Sequence, residues 1–166
     1  MDVINPMNID LLPIKQLLPD NIEFLQHQDC LESLEMSVLF YARVGYSIPW
    51  IGYYASMEGK LVGSGGFKGR PIDGKVEVAY GTFPPFQHKG IGTEICRQLV
   101  RLAKATDPAV RVMARTLMEE NHSARILRKN GFEWLGIVND PDDGDVWEWE
   151  YKLFKPFVTG SSSKQR

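Results

Sequence analysis

Apolar side chains recur at helical spacing in three stretches of the chain. In the first stretch they stand near that spacing at Phe24, Leu31, Leu34, Val38 and Ala42. Asp20 and Glu23 resemble a capping box at the start of this stretch. The polar residues 26–29 predict a division into two helices, and Gly45 predicts the end of the second. A third helix is predicted from Ile91, Ile95, Leu99, Leu102 and Ala103, and a short fourth one covers residues 124–130.

Strand patterns fill most of the remaining chain. One strand begins at Val76, alternates bulky with small or charged side chains, and ends before Pro84, because proline has no N–H to donate to a sheet. Further strands are predicted at residues 9–15, 50–56, 61–68, 110–117, 132–138 and 146–154. This order predicts a mixed α/β fold with an antiparallel front half and a strand–helix–strand crossover behind it.

The composition is that of an ordinary globular protein. The chain has 166 residues, of which 43% are apolar and 24% charged. We expect a single domain over residues 1–158 and a disordered tail over residues 159–166, whose composition is that of a linker. The formal net charge of -2 disfavours a protein that binds nucleic-acid phosphates, because such proteins carry a basic surplus.

Metal and membrane functions find no support in the sequence. Cys30 and Cys96 form no C-x-x-C pair, and the histidines have no metal-ligand spacing, so no metal is expected. No signal peptide is recognisable, and no apolar run approaches the ~20 residues that span a bilayer. These observations predict a cytoplasmic protein without a membrane partner.

A glycine-rich turn joins the strand that starts at Val76 to the helix that starts near Ile91. Gly90 and Gly92 have no Cβ, so their backbone can approach an anion closely, and a helix N-terminus offers unpaired N–H groups to a phosphate. Taken alone, the glycines favour a turn that merely starts a helix, because short glycine motifs have many false positives. No segment of the sequence matches the P-loop motif. The dinucleotide fingerprint fails at Ile95, and a nucleophile elbow at Ser64 lacks its first glycine.

Four motifs in register resemble those of the GNAT acetyltransferase superfamily. Gln87-x-x-Gly90-x-Gly92 matches its Q/R-x-x-G-x-G/A signature. The segments 77–81, 119–123 and 128–132 follow the family's order and spacing around that signature. The resemblance covers residues 9–154. Within the family, the sequence is most similar to the branch that contains the ribosomal-protein N-acetyltransferases. It implies a mostly antiparallel sheet of six to seven strands with a splayed central parallel pair, flanked by about four helices.

The resemblance also implies a site for acetyl-CoA as co-substrate. Gln87 belongs to the family's signature and is therefore expected at this site, and Asn121 is expected to contact the pantetheine arm. Pantetheine is expected to pair with the main chain of Thr82 and Phe83. The pyrophosphate is expected on the backbone N–H groups of a run comprising His88, Lys89, Gly90, Ile91, Gly92 and Thr93.

Two side chains are candidates for proton transfer. Glu77, on the strand face that otherwise carries small residues, is the candidate base for the attacking amine; the alternative is a solvated glutamate. Ser123 is the candidate donor to the departing thiolate, since Leu127 occupies the position of the tyrosine that many family members use. Ser123 fits that role when counted from Gly131, whereas the spacing from Asn121 is one residue short. A role in starting the next helix is the alternative for Ser123.

The resulting hypothesis is an enzyme that moves acetyl from acetyl-CoA to a primary amine by direct attack in a ternary complex. The acceptor is open: a small molecule and a protein N-terminus both fit, and the protein is expected to be a monomer or a homodimer. The alternatives are a non-catalytic acyl-CoA sensor on the same fold and an interaction module whose glycines are only structural.

Overall fold

Seven strands form one sheet in the computed structural model, which describes residues 7–152. The sheet order is β1-β2-β3-β4-β5-β7-β6. The strands are β1 (Ile9–Pro13), β2 (Gly52–Met57), β3 (Lys60–Phe67), β4 (Lys75–Thr82), β5 (Arg111–Thr116), β6 (Phe132–Asp140) and β7 (Gly144–Tyr151). The predicted tail at residues 159–166 and the end of the last predicted strand lie outside the described residues.

Within residues 7–152, three α-helices and three short 3-10 helices connect the strands. The α-helices are α1 (Leu31–Val44), α2 (Ile91–Thr106) and α3 (His122–Lys129). The 3-10 helices cover Leu18–Phe24, Gln28–Cys30 and Pro84–Phe86. None of the helices within residues 7–152 is long and apolar enough to cross a membrane.

The predicted division before α1 is confirmed, but the predicted capping box is wrong. The first 3-10 helix begins at Leu18, because Pro19 suits its first turn, and so Asp20 lies inside the helix instead of at its cap. Glu23 pairs with the ammonium of Lys15 at 3.1 Å. The predicted end of α1 is confirmed: Gly45 has a φ of 98° and donates its N–H to the carbonyl of Tyr41.

The central strands β4 and β5 are parallel and separate after three residue pairs. Pairing runs from Lys75 with Arg111 to Glu77 with Met113, and beyond it β4 pairs only with β3. All other neighbouring strands are antiparallel. The expected mixed sheet with a splayed parallel pair is therefore confirmed. We call the space between the separated strands the wedge.

Two glycines of β3 bring α2 close to the sheet. A Cβ on Gly65 would lie 2.6 Å from Ile95 Cγ2 and 3.0 Å from Leu99 Cδ1, and one on Gly63 would lie 3.2 Å from Ile95 Cδ1. Ile95 and Leu99 are fully buried in this contact. The close approach fixes α2 against β3 and β4, so that its first turn stands at the open end of the wedge.

Candidate active site

The chain turns sharply between the end of β4 and the first residue of α2. The Gln87 amide donates to the carbonyl of Thr82 at 3.1 Å and holds the turn against the strand. His88 has a φ of 64° and Gly90 one of 84°, and only glycine adopts such values without strain. Gly90 is the N-cap of α2, and no side chain caps this helix. The N–H groups of the first turn of α2 are therefore available to an anion.

A cleft of about 300 Å³ lies over this first turn, and we call it the helix-start cleft. Its lining includes Thr82, His88, Gly90, Ile91, Gly92 and Thr93, six of the ten predicted cofactor residues. A Cβ on Gly92 would lie 2.9 Å from Ile126 Cδ1 and 3.2 Å from Thr82 Oγ1, so glycine is needed for the walls to come together here. Gln87, Lys89, Phe83 and Asn121 do not line the cleft.

Basic side chains from α3 complete the helix-start cleft. His122, Arg125 and Lys129 line it opposite the first turn of α2. The rings of His88 and His122 approach with their centroids 5.6 Å apart. The sequence interpretation missed these α3 residues, although their spacing of three and four positions is the signal that places them on one helix face. Backbone N–H groups and four basic side chains thus surround one space, which suits a ligand with several phosphates.

The expected main-chain pairing at Phe83 is wrong. Its N–H donates to the carbonyl of Val62 at 2.9 Å, and its carbonyl accepts from the N–H of Phe86 at 2.8 Å. The carbonyl of Glu77 likewise accepts from the N–H of Lys68, the residue after β3. Because bonding direction alternates along a strand, the main-chain groups of Val78, Tyr80 and Thr82 point the other way, and the parallel bridge of Glu77 with Met113 uses the Val78 N–H. An extended ligand in the wedge therefore finds its strand edge at Tyr80 and Thr82.

Glu77 lies at the point where β4 and β5 separate. Its carboxylate pairs with the ammonium of Lys68 at 3.0 Å and lies 4.0 Å from Arg115 Nε. Its side chain is one-fifth exposed. It shares its face of β4 with Ala79 and Gly81, as expected from the alternation. Lys68 is the ion-pair partner of this carboxylate, whereas the Arg115 guanidinium donates its hydrogen bonds to Asp140 and Glu148.

Asn121 and Ser123 differ in the part they play at the start of α3. The Asn121 side-chain oxygen accepts from the N–H of Ala124 at 3.0 Å, which makes Asn121 the N-cap of this helix. The carbonyl of Ser123 accepts from the hydroxyl of Tyr80 at 3.3 Å. Burial raises the pKa of Tyr80, so this hydroxyl stays protonated. Leu127 is fully buried in the core.

A second cleft, of about 490 Å³, lies between α1 and the sheet face of β2, β3 and β4; we call it the α1 cleft. Its floor consists of small residues, Ser64, Gly66, Ala79 and Gly81. Its walls are formed by apolar and aromatic side chains, among them Met36, Phe40, Tyr41 and Tyr53. Gly81 and Thr82 are neighbours in β4, yet one lines the α1 cleft and the other the helix-start cleft. The two clefts therefore adjoin across this strand.

Two further observations concern alternative chemistry. Cys96 is fully buried on the inner face of α2, and burial raises the pKa of its thiol to about 12. A thiol in this state is not a nucleophile. Among residues 7–152, no three His, Cys, Asp or Glu side chains come together as a metal site.

A curled mixed sheet with a splayed parallel pair, and an uncapped helix start at its opening, define the GNAT acetyltransferase fold. The family model for the acetyltransferase (GNAT) domain matches residues 25–133. The chain belongs to this family, and membership implies an acyl-CoA-dependent acetyltransferase. The search of curated proteins gives no match.

Solved structures of other GNAT proteins share the fold at low sequence identity. RimL, a ribosomal L7/L12 alpha-N-protein acetyltransferase in complex with coenzyme A, has a TM-score of 0.62 at 15% identity, covering 89% of this chain and 95% of that chain. The acetyltransferase of Salmonella typhimurium that modifies the N-terminal serine of L7/L12 has a TM-score of 0.59 at 18% identity, covering 86% and 93%. The aminoglycoside acetyltransferase AAC(6')-Ib in complex with coenzyme A has a TM-score of 0.62 at 20% identity, covering 89% and 95%.

Proposed function

We propose that this protein transfers the acetyl group of acetyl-CoA to the nitrogen of a primary amine. One observation carries the proposal: the helix-start cleft and the α1 cleft adjoin at Thr82 and Gly81, on either side of one strand. A cofactor with its phosphates in the first cleft has its thioester end within reach of the second. The coenzyme A complexes of RimL and the aminoglycoside acetyltransferase support this cofactor.

Coenzyme A is held in this proposal chiefly by main-chain groups. Its pyrophosphate lies on the N–H groups of the first turn of α2, with His88, His122, Arg125 and Lys129 around it. Pantetheine extends along the wedge and pairs with the main chain of Tyr80 and Thr82. An N–H of this edge donates to the thioester oxygen as it becomes an oxyanion, and a preorganised donor of this kind stabilises the transition state.

The chemical step is a direct attack of the amine on the thioester carbonyl. A C–N bond forms, the C–S bond breaks, and coenzyme A leaves as a thiolate. The amine nitrogen loses a proton, which the Glu77 carboxylate takes directly or through a water molecule. Ser123, at the start of α3 and outside the lining of both clefts, is the proposed donor to the thiolate. Cys96 takes no part, because its thiol is buried and protonated.

The test combines binding and turnover. Acetyl-CoA and free coenzyme A are each expected to raise the Tm, since a ligand that binds only the folded state stabilises it. A panel of primary amines is then screened for thiol release from acetyl-CoA, with N-acetylation of the amine verified by mass spectrometry. Stabilisation without thiol release from any amine would indicate the acyl-CoA sensor instead. No stabilisation by either compound would exclude both the enzyme and the sensor.

A further inference from the structure

The α1 cleft offers exposed apolar surface on the wall that α1 forms. Met36 of α1 lines the cleft with 63% of its surface exposed, and Phe40, one helical turn on, is half-buried beside it. Tyr53 of β2 also lines the cleft but is buried, and the floor has only hydrogen, methyl or hydroxymethyl side chains. An exposed apolar wall over a small-residue floor favours a ligand whose body is itself apolar.

The hydroxyls of Tyr41 and Tyr53 already have partners in the protein. The Tyr41 hydroxyl donates to the carbonyl of Ile14 at 3.0 Å and accepts from the N–H of Gly52 at 2.9 Å. The Tyr53 hydroxyl donates to the carbonyl of Pro49 at 2.7 Å. A sugar or polyhydroxylated acceptor would lose its hydration here without gaining hydrogen bonds from these tyrosines.

The charges around the α1 cleft disfavour an acceptor with several amino groups. Within the described part of the chain, Lys68 is the only residue with a formal charge that lines the cleft. Its ammonium is paired with Glu77, the carboxylate assigned to the reacting amine, which is itself outside the lining and next to it through this ion pair. The acidic residues of α1, Glu32 and Glu35, are exposed and outside the lining. A second ammonium on the acceptor would thus meet a cation and no carboxylate, and burying an unpaired charge is strongly unfavourable.

We infer that the acceptor is a small monoamine with an apolar or aromatic body, and that polyamines and aminoglycosides are not substrates. This inference rests on the proposed function. The cleft volume of about 490 Å³ is that of a small-molecule site. Specificity for such an amine has two sources. The apolar body of the acceptor is buried in the cleft, and the one carboxylate, Glu77, interacts with its one amino group.

The first test compares amines with matched bodies. Hexylamine and hexamethylenediamine differ only in the second amino group; phenylethylamine, spermidine, kanamycin and a short peptide with N-terminal serine complete the set. We expect kcat/KM for hexylamine and phenylethylamine to exceed that for the diamine, spermidine and kanamycin at least tenfold. Equal or better use of these polycations would overturn the inference and leave the proposed function standing, as would a preference for the peptide. Acetyl-CoA binding without turnover of either monoamine would also overturn it.

The second test places a carboxylate in the cleft. Ser37 lines the cleft on α1, whereas Leu39 is on the same helix outside the lining and 70% exposed. Ser37→Asp is expected to reduce the preference for hexylamine over the diamine at least tenfold, and Leu39→Asp is expected to leave that preference unchanged. Both variants are checked for a wild-type Tm and wild-type acetyl-CoA affinity. An unchanged preference in a folded Ser37→Asp protein would contradict the inference.

Discussion

The Glu77 carboxylate is anchored by the Lys68 ammonium at 3.0 Å, on the face of β4 that forms the floor of the α1 cleft. Arg115 approaches the other carboxylate oxygen to 4.0 Å. Lys68 follows β3 and Arg115 belongs to β5, so positive charge flanks the carboxylate from both neighbouring strands, while the Arg115 guanidinium donates its hydrogen bonds to Asp140 and Glu148. This arrangement fixes the orientation of Glu77 at the point where the wedge opens.

Replacing Glu77 by glutamine tests its role as the base. Glu77→Gln is expected to lower kcat at least tenfold near neutral pH, with the acetyl-CoA Kd little changed, because the amide cannot accept the amine proton. The loss of kcat relative to the wild type is expected to become smaller as the pH rises, since more of the amine is then already neutral. Thiol release measured across the pH range checks this, with Glu32→Gln on the exposed face of α1 as the control. Full activity of Glu77→Gln at neutral pH would rule out this base.

A matched pair of glycines separates cofactor binding from backbone strain. Gly90 and Gly74 have similar positive φ values, 84° and 77°, but only Gly90 lines the helix-start cleft. Alanine at either position is expected to cost about 1–2 kcal/mol of stability, because the left-handed conformation disfavours a Cβ. Only Gly90→Ala is expected also to raise the acetyl-CoA Kd, by tenfold or more, in calorimetric titrations. Equal affinities of the two variants would contradict a phosphate site at this turn.

The basic face of α3 predicts a charge-dependent part of the affinity. Arg125→Gln and Lys129→Gln each remove a cation from the helix-start cleft and are expected to raise the coenzyme A Kd several-fold. The loss is expected to diminish at high salt, because screening already weakens the wild-type interaction. Arg101→Gln, which removes the same charge from the exposed face of α2, is the control. If all three variants have the same Kd, α3 does not contact the cofactor.

The order of the elements and the location of the cofactor turn were predictable from local sequence. Alternating side chains after Val76 and the glycines at 90 and 92 are local signals, and the structure has β4 and the start of α2 where they predict them. The basic cluster of the helix-start cleft was harder to predict from the sequence, since His88 and His122 meet only after α3 packs against α2. The anchoring of Glu77 by Lys68 was likewise invisible, because it depends on the register of β3 against β4.

Misassigned details have local physical reasons. Asp20 resembles a cap, but Pro19 starts the 3-10 helix earlier. Phe83 stands at the end of β4, but its main chain bonds to Val62 and Phe86. Which edge of a strand is open depends on hydrogen-bond direction, and residue type does not encode it.

Asn121 and Ser123 are expected to respond differently to removal of their polar groups. Asn121→Ala removes the N-cap of α3 and is expected to cost about 1 kcal/mol, which lowers the Tm of a domain this size by about 2–4 °C. Ser123→Ala leaves the cap intact, so its Tm is expected to remain that of the wild type while kcat falls. Thermal unfolding and thiol release measured on both variants check this. A lower Tm with unchanged kcat in Ser123→Ala would assign Ser123 a purely structural part.

Glu150 predicts the pH dependence of stability. It is 5% exposed and accepts two hydrogen bonds from the Arg111 guanidinium, at 2.9 and 2.6 Å. The hydrogen bonding to Arg111 lowers the pKa of Glu150 below its ordinary value. A carboxylate with a lowered folded-state pKa stabilises the fold above the unfolded pKa of about 4.3, and this contribution is lost as the pH falls through the folded-state pKa. Glu150→Gln is therefore expected to lower the Tm by a few degrees at neutral pH.

The difference in Tm between wild type and Glu150→Gln is expected to narrow as the pH falls below about 4, because the wild-type carboxyl then becomes protonated and loses its charge-assisted bonds. Glu58→Gln, in the exposed turn between β2 and β3, serves as the control for removing one negative charge. Thermal unfolding of the three proteins over this pH range measures the effect. A Tm difference that stays constant from neutral to acidic pH would show that Glu150 contributes through packing and not through its ion pair with Arg111.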